Sequence, residues 1–124
     1  MIGLASGWEI AAERGPGWLF VRIKPGNELE PPEDLAEAIW ELMQEHMVFR
    51  VTIELDEVRL LDSRLLGQLV KLARRVQKCE GLLRLCGLSP FNRQVVALNG
   101  LDGFLPAYCD RHQAVMVREP RRPR

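Results

Sequence analysis

Residues 51–63, which read VTIELDEVRLLDS, decide the fold of this chain. Apolar and polar residues alternate from Val51 to Leu55, and a period of two predicts a half-buried β-strand. A strand with helices on both faces would be apolar throughout, so we expect helices mainly on one face of the sheet and water on the other. Asp62 and Ser63 are suited to the first turn of a following helix.

The residues before this stretch predict a β-hairpin and a first helix. Two β-prone runs, Trp8 to Arg14 and Trp18 to Ile23, are separated by Gly15-Pro16-Gly17, which is typical of a tight antiparallel connection. Residues 35–46 then carry apolar side chains at helical spacing, with four glutamates on the other side. The apolar positions are Leu35, Ile39, Leu42, Met43 and His46, and the glutamates are Glu33, Glu37, Glu41 and Glu45. We interpret the acidic strip as a solvated face rather than a partner site.

A second helix and a buried strand follow residue 63. The helix runs from about Asp62 to about Lys78, Gly81 ends it, and residues 82–86 form the strand. The apolar side of the helix consists of Leu66, Leu69, Val70, Ala73 and Val76, and its wet side of Lys71, Arg74, Arg75 and Lys78.

The C-terminal third predicts a third helix, a short strand and a last helix. Ser89 and Pro90 suit the cap and first position of the third helix. Its apolar side consists of Phe91, Val95 and Leu98, and Asn99 and Gly100 end it. Residues 107–109 form the strand, and Asp110 and Gln113 resemble a capping box.

This order of elements (β, β, α, β, α, β, α, β, α) places the chain in the α/β class, with a small mixed sheet. Its 124 residues suit one domain. We expect this domain to span residues 1–117, and the basic tail at 118–124 to be disordered.

The composition argues against several classes of partner. The 17 basic and 17 acidic residues balance, so nothing draws the whole chain to nucleic acid or to an anionic membrane. Residues 1–57 are nevertheless acidic and residues 58–124 basic, so we expect the two halves to attract each other. Three cysteines without close pairs favour a reducing cytoplasm over a disulfide or zinc framework. No apolar run approaches a membrane span or a secretory signal.

Enzymatic motifs are absent from the sequence. It has neither a G-x-S-x-G elbow nor a G-x-x-x-x-G-K-[ST] loop nor a G-x-G-x-x-G turn. The two histidines, His46 and His112, are far apart, so a histidine metal site is not expected. We therefore predict no catalytic residue, no metal and no cofactor.

Ser63 has two interpretations. In the first, Asp62 or Ser63 simply caps the second helix, which contributes about 1 kcal/mol. In the second, the hydroxyl accepts a phosphate, because unpaired N–H groups and the helix dipole at this end favour negative charge.

The stretch from Val51 through Tyr108 resembles the STAS domain of anti-sigma factor antagonists. The residues that carry the resemblance are Ile53-Glu54-Leu55, then Leu60-Leu61-Asp62-Ser63, the strand Gly81 to Leu88, and Val95 to Pro106 with Gly100-Leu101-Asp102. The family commonly continues Asp-Ser-Ser/Thr-Gly-Leu-Gly. Here Arg64 and Leu65 replace the small residue and the first glycine, whereas Leu66 and Gly67 match.

The resemblance implies a cytoplasmic bacterial switch in transcription regulation, not an enzyme. Its partner would be an anti-sigma factor that is also an ATP-dependent serine kinase, and a serine phosphatase would reset the cycle. By motif, Ser63 is the phosphorylated residue, and we expect Asp62, Ser63, Arg64 and Leu65 to form the partner-binding surface. Nucleic acid and membrane are not expected partners.

Two other functions stay open at this stage. The chain could be a non-phosphorylated STAS scaffold or a subunit of a signalling or transport complex, with Ser63 only a helix cap. Alternatively, it could be an enzyme that uses Ser63, which would require a base within ~3.2 Å of the hydroxyl.

Overall fold

The computed structural model of the chain describes residues 2–4, 7–26 and 30–116. The strands are β1 (Ile2–Gly3), β2 (Glu9–Gly15), β3 (Trp18–Lys24), β4 (Arg50–Glu54), β5 (Leu82–Cys86) and β6 (Ala107–Tyr108), and the helices are α1 (Leu35–His46), α2 (Ser63–Lys78), α3 (Pro90–Leu98) and α4 (Arg111–Met116). The predicted order of elements from the hairpin onward is confirmed, and β1 is an addition that two residues could not signal. The predicted tail at 118–124, and residue 117 at the predicted end of the domain, lie outside the described residues.

One mixed sheet contains all six strands in the order β1-β2-β3-β4-β5-β6. The first three strands pair antiparallel, and β3 through β6 pair parallel. Each parallel connection contains one helix, as parallel pairing requires. The α/β class and the mixed sheet are therefore confirmed.

One face of the sheet carries the apolar core. Ile39 of α1, Leu55 after β4, Leu69 of α2 and Leu85 of β5 are fully or almost fully buried in one cluster, which also contains Val96 of α3. Helices α1, α2 and α3 therefore cover the same face, as the alternation in β4 predicts.

The expectation that the other face of the sheet meets water is wrong at its centre. Thr52 and Glu54 are 0% and 3% exposed, because α4 packs on β4 and β5. Arg84 of β5 is also buried; it donates a hydrogen bond to the Ala114 carbonyl of α4 and stacks against two aromatic rings. Of the polar residues of the alternation, Glu54 is thus buried and paired, Thr52 is buried with no hydrogen-bond partner for its hydroxyl among the described residues, and Arg50 is exposed.

Arg111 of α4 anchors this second layer. Its guanidinium donates two hydrogen bonds to the Glu54 carboxylate, at 2.7 and 2.9 Å, and one to Glu13. Burial raises the pKa of Glu54, but attraction and hydrogen bonding from Arg111 and Arg22 outweigh it, so the pKa lies below its usual value.

Charge complementarity between the two halves of the chain is confirmed. Besides the contacts of Arg111, two of the five bases of α2 pair with acids that precede or belong to α1. These ion pairs are Arg64 with Glu30 and Arg75 with Glu37.

The predicted apolar side of α3 is wrong at two of its three residues, whereas the third, Val95, is partly buried against the core. Phe91 and Leu98 are 60% and 79% exposed, whereas Asn92 and Val96 are buried. The cap is confirmed, because the Ser89 hydroxyl accepts the Asn92 N–H at 3.1 Å. The helix therefore begins where predicted but is rotated about its axis.

Gly81 has a different role from the one predicted. Helix α2 ends at Lys78, and the left-handed residue after it is Glu80, with φ of 58°. A Cβ at Gly81 would overlap the carbonyl oxygen of Phe49. The glycine is therefore required by close approach of two backbones and not by the helix end.

Candidate partner-binding site

The start of α2 has one capping residue and one exposed serine. Asp62 is the N-cap, and its Oδ1 accepts the Leu65 N–H at 2.9 Å. Ser63 is the first residue of the helix and is exposed, and its hydroxyl has no hydrogen-bond partner in the part of the chain that the structure describes. Of the two residues considered for the cap, Asp62 is the one that caps.

Arg64 and Leu65, the other two residues of the predicted partner surface, differ in exposure. Arg64 is exposed and forms an ion pair with Glu30, whose hydrogen bond and charge raise the Arg64 pKa. Leu65 is 1% exposed and lies in the core with Leu69, one helical turn away on the same side. The expectation that Leu65 contributes to a partner surface is therefore corrected: Asp62, Ser63 and Arg64 reach solvent, and Leu65 anchors the helix beneath them.

Asn92 holds the segment that leads into Ser63. This buried side chain accepts the Leu61 N–H at 2.9 Å and donates to the carbonyls of Val58 and Arg59 at 3.1 and 3.3 Å. Because the three contacts lie within four consecutive residues, one amide fixes the whole turn before α2. The role of Asn92 was not predicted from the sequence, because its three partners lie more than 30 positions away in the chain.

Apolar side chains are exposed next to this contact. Leu60, in the segment that Asn92 holds, is 58% exposed, and Phe91, which precedes Asn92, is 60% exposed. A groove of about 290 Å³ lies on the same segment and is lined by Leu60, Asp62, Trp8 and Pro25 among others. The approach to Ser63 therefore combines apolar surface with the polar start of a helix.

A second groove, of about 450 Å³, contains Ser63 itself and lies between α2 and the chain before α1. Gln68 builds its floor by accepting the Ala36 N–H and donating to the Glu33 carbonyl, both at 2.9 Å. The N-cap of α1, Asp34, makes no side-chain capping bond. Gln68 thus satisfies a backbone N–H at the start of α1 and holds the start of α1 against α2.

Residues suited to metal or covalent chemistry do not gather here. Among the described residues, no group of three or more His, Cys, Asp or Glu side chains is placed to hold a metal. Cys79 and Cys109 are exposed free thiols, and burial raises the pKa of the Cys86 thiol to about 12. Within residues 2–4, 7–26 and 30–116, no helix is long and apolar enough to cross a bilayer.

A mixed sheet with three helices on one face, and a serine exposed at the start of the second, is the arrangement of a STAS-type domain. The family model described as "Mlab, STAS domain" matches residues 29–107, and the chain belongs to the STAS domain family. The resemblance stated from residues 51–108 is therefore confirmed.

Solved structures agree on the fold. An anti-sigma factor antagonist from Mycobacterium paratuberculosis is 21% identical, with a TM-score of 0.74 over 92% of this chain and 96% of that one. An anti-sigma-factor antagonist (STAS) domain protein from Planctomyces limnophilus is 22% identical, with a TM-score of 0.70 over 85% and 93%. The phosphorylated form of the Bacillus cell fate determinant SpoIIAA is 17% identical, with a TM-score of 0.63 over 86% and 96%. No curated protein sequence matches the chain.

Proposed function

We propose that this protein is a partner-binding switch of the anti-sigma factor antagonist type, controlled by phosphorylation of Ser63. Its partner is an anti-sigma factor that is also a serine kinase, and the surface that binds it consists of Arg59, Leu60, Asp62, Ser63, Arg64 and Phe91. The observation that carries the proposal is that Asp62, and not Ser63, caps α2. The exposed Ser63 hydroxyl is therefore not needed for the helix.

A phosphate at Ser63 is compatible with the fold. It would add about −1.5 to −2 charges next to the unpaired N–H groups and the positive dipole end of α2. It would also lie beside the Asp62 carboxylate and at the centre of the partner surface. The phosphate that the helix tolerates therefore weakens partner binding, through repulsion and through the cost of burying an unpaired charge.

The cellular setting follows from the same proposal. The protein acts in a bacterial cytoplasm, where capture of the kinase frees a sigma factor for transcription. A serine phosphatase removes the phosphate and restores binding. One of the structural relatives, SpoIIAA, is known in phosphorylated and unphosphorylated forms.

Phosphotransfer provides the first test. The protein is incubated with ATP and the serine kinase purified with it from the source cells, and its intact mass is measured. We expect one phosphate, an added mass of about 80 Da, on wild type and none on Ser63→Ala. Modification of Ser89, or equal modification of both proteins, would contradict the assignment.

A second candidate is a scaffold or complex subunit that binds a fixed partner without phosphorylation. The ion pair of Arg64 with Glu30 favours it, because a long cation crosses the groove that contains Ser63. This function predicts that a negative charge at position 63 leaves partner affinity unchanged.

A further inference from the structure

Five exposed residues form one straight stripe along α2. They are Ser63, Gly67, Lys71, Arg74 and Lys78, at successive spacings of four, four, three and four. At 3.6 residues per turn, these positions fall within an arc of about 80° and along about 22 Å of the helix. The buried residues of α2 lie on the opposite side, so the stripe is the outermost surface of the helix.

The charged residues of this stripe are all basic. Helix α2 contains five basic residues and no acidic residue. Arg64 and Arg75 are paired with glutamates, whereas Lys71, Arg74 and Lys78 have no ion pair among the described residues. Lys78 is stabilised by the dipole in the last turn, but the 71–74 and 74–78 spacings place like charges side by side.

Gly67 is a second feature that the isolated molecule does not explain. A Cβ at this position would meet no heavy atom of the described residues within 4 Å, and the residue is not in the left-handed region. Glycine destabilises a helix interior relative to alanine, so the fold alone would favour a side chain here. What glycine provides is a flat surface between Ser63 and the cations, onto which another backbone can approach.

We propose that this stripe binds an acidic segment of the protein partner. Carboxylates of that segment pair with Lys71, Arg74 and Lys78, and its backbone crosses Gly67 to reach Ser63. The inference rests on the proposed function and specifies the chemistry of the partner. It also explains why phosphorylation would weaken partner binding, because a phosphate on Ser63 places negative charge at the end of a surface that binds an acidic segment.

Charge complementarity favours an acidic protein segment over nucleic acid. The basic stripe is one helix wide, and the neighbouring helix α1 exposes Glu33, Glu37 and Glu41 beside it. A duplex is wider than the stripe, and its phosphates would meet these carboxylates. A narrow acidic segment can lie along the stripe without reaching these carboxylates.

The test uses the full chain and a polyglutamate peptide of 16 residues, the length of α2. Amide chemical shifts are followed at low ionic strength while the peptide is added to wild type, to Lys71→Glu/Arg74→Glu, and to Arg14→Glu/Arg50→Glu. The two double variants change the net charge equally. Arg14 of β2 and Arg50 of β4 are exposed and lie outside α2, near the residues that follow its last turn and far from Ser63, so they provide a charge-matched control outside the stripe.

We expect shifts concentrated on residues 63–78, at least about a fivefold loss of affinity in Lys71→Glu/Arg74→Glu, and less than about a twofold loss in the control. Gly67→Gln should raise thermal stability and weaken peptide binding, opposite effects that a purely structural glycine would not produce. Equal losses in both double variants would overturn the proposal, as would tighter binding of a DNA duplex of about 16 base pairs to the stripe.

Failure of this inference and failure of the proposed function are distinguishable. If Ser63 is phosphorylated but Lys71→Glu/Arg74→Glu binds the kinase as wild type does, the stripe proposal is wrong and the switch stands. If the stripe binds polyglutamate but no kinase modifies Ser63, the acidic-segment site stands and the phosphorylation switch is wrong.

Discussion

The N-termini of α2 and α3 each carry a serine, and the two serines differ in what they do. Ser89 caps α3, because its hydroxyl accepts the Asn92 N–H. Ser63 is one position further into its helix, where Asp62 has taken the capping role. A serine is therefore structural at one helix start and available at the other, and only the identity of the capping residue separates them.

Asn92 connects the two helix starts and is expected to give the largest effect. Asn92→Ala removes all three side-chain contacts to residues 58–61 and leaves a buried N–H and two carbonyls without this partner. We expect a loss of about 2 to 3 kcal/mol in the free energy of unfolding. Urea denaturation measures it, and the control is Asn99→Ala at the C-terminal end of the same helix, where the exposed amide donates a hydrogen bond to the Val95 carbonyl. Equal effects of the two substitutions would mean that Asn92 does not hold the segment.

The pair that Glu54 of β4 forms with Arg111 of α4 is expected to give the second largest effect on stability. We expect Glu54→Gln to cost about 2 kcal/mol at pH 7, because Arg111 loses a charged partner at a partly exposed pair. The pKa of Glu54 is lowered in the folded state, so its stabilisation is complete above the unfolded value near 4.5 and is lost as the pH falls through the folded value.

The difference in stability between wild type and Glu54→Gln should therefore be constant near neutral pH and shrink in acid. Denaturation curves between pH 7 and pH 3 measure it. A difference that grows as the pH falls would contradict the sign of the pKa shift.

The two serines themselves give the smallest and most specific effects. Ser89→Ala should cost about 1 kcal/mol, because it leaves an N–H of α3 without its cap. Ser63→Ala should change stability by less than about 0.5 kcal/mol, because the Asp62 cap is intact and the site is exposed. Thermal denaturation of both variants decides whether the comparison holds, and a costly Ser63→Ala would assign Ser63 a structural role.

Local chemistry made much of this fold predictable. The Pro16-Gly17 turn, the alternation in residues 51–55 and the caps at Asp62 and Ser89 depend on residues close together in the chain, and each lies where the sequence indicates. The position of Ser63 at the start of α2 was accessible for the same reason.

Contacts between distant residues account for what could not be predicted. Helix α3 has two possible inner sides, and the more apolar one, with Phe91 and Leu98, faces out. Asn92 faces in because the backbone of residues 58–61 satisfies its amide, more than 30 positions away in the chain. Similarly, no local pattern shows that Arg111 reaches Glu54.

The most direct test of the switch is the affinity of the partner for wild type, Ser63→Ala and Ser63→Asp, measured by titration calorimetry with the anti-sigma factor kinase. We expect Ser63→Ala to bind as wild type does. We expect Ser63→Asp to lose 2 kcal/mol or more, about 30-fold in Kd, while its stability stays within about 1 kcal/mol of wild type. Equal affinity of wild type and Ser63→Asp would contradict the account and leave Ser63 as an exposed residue of a fixed scaffold.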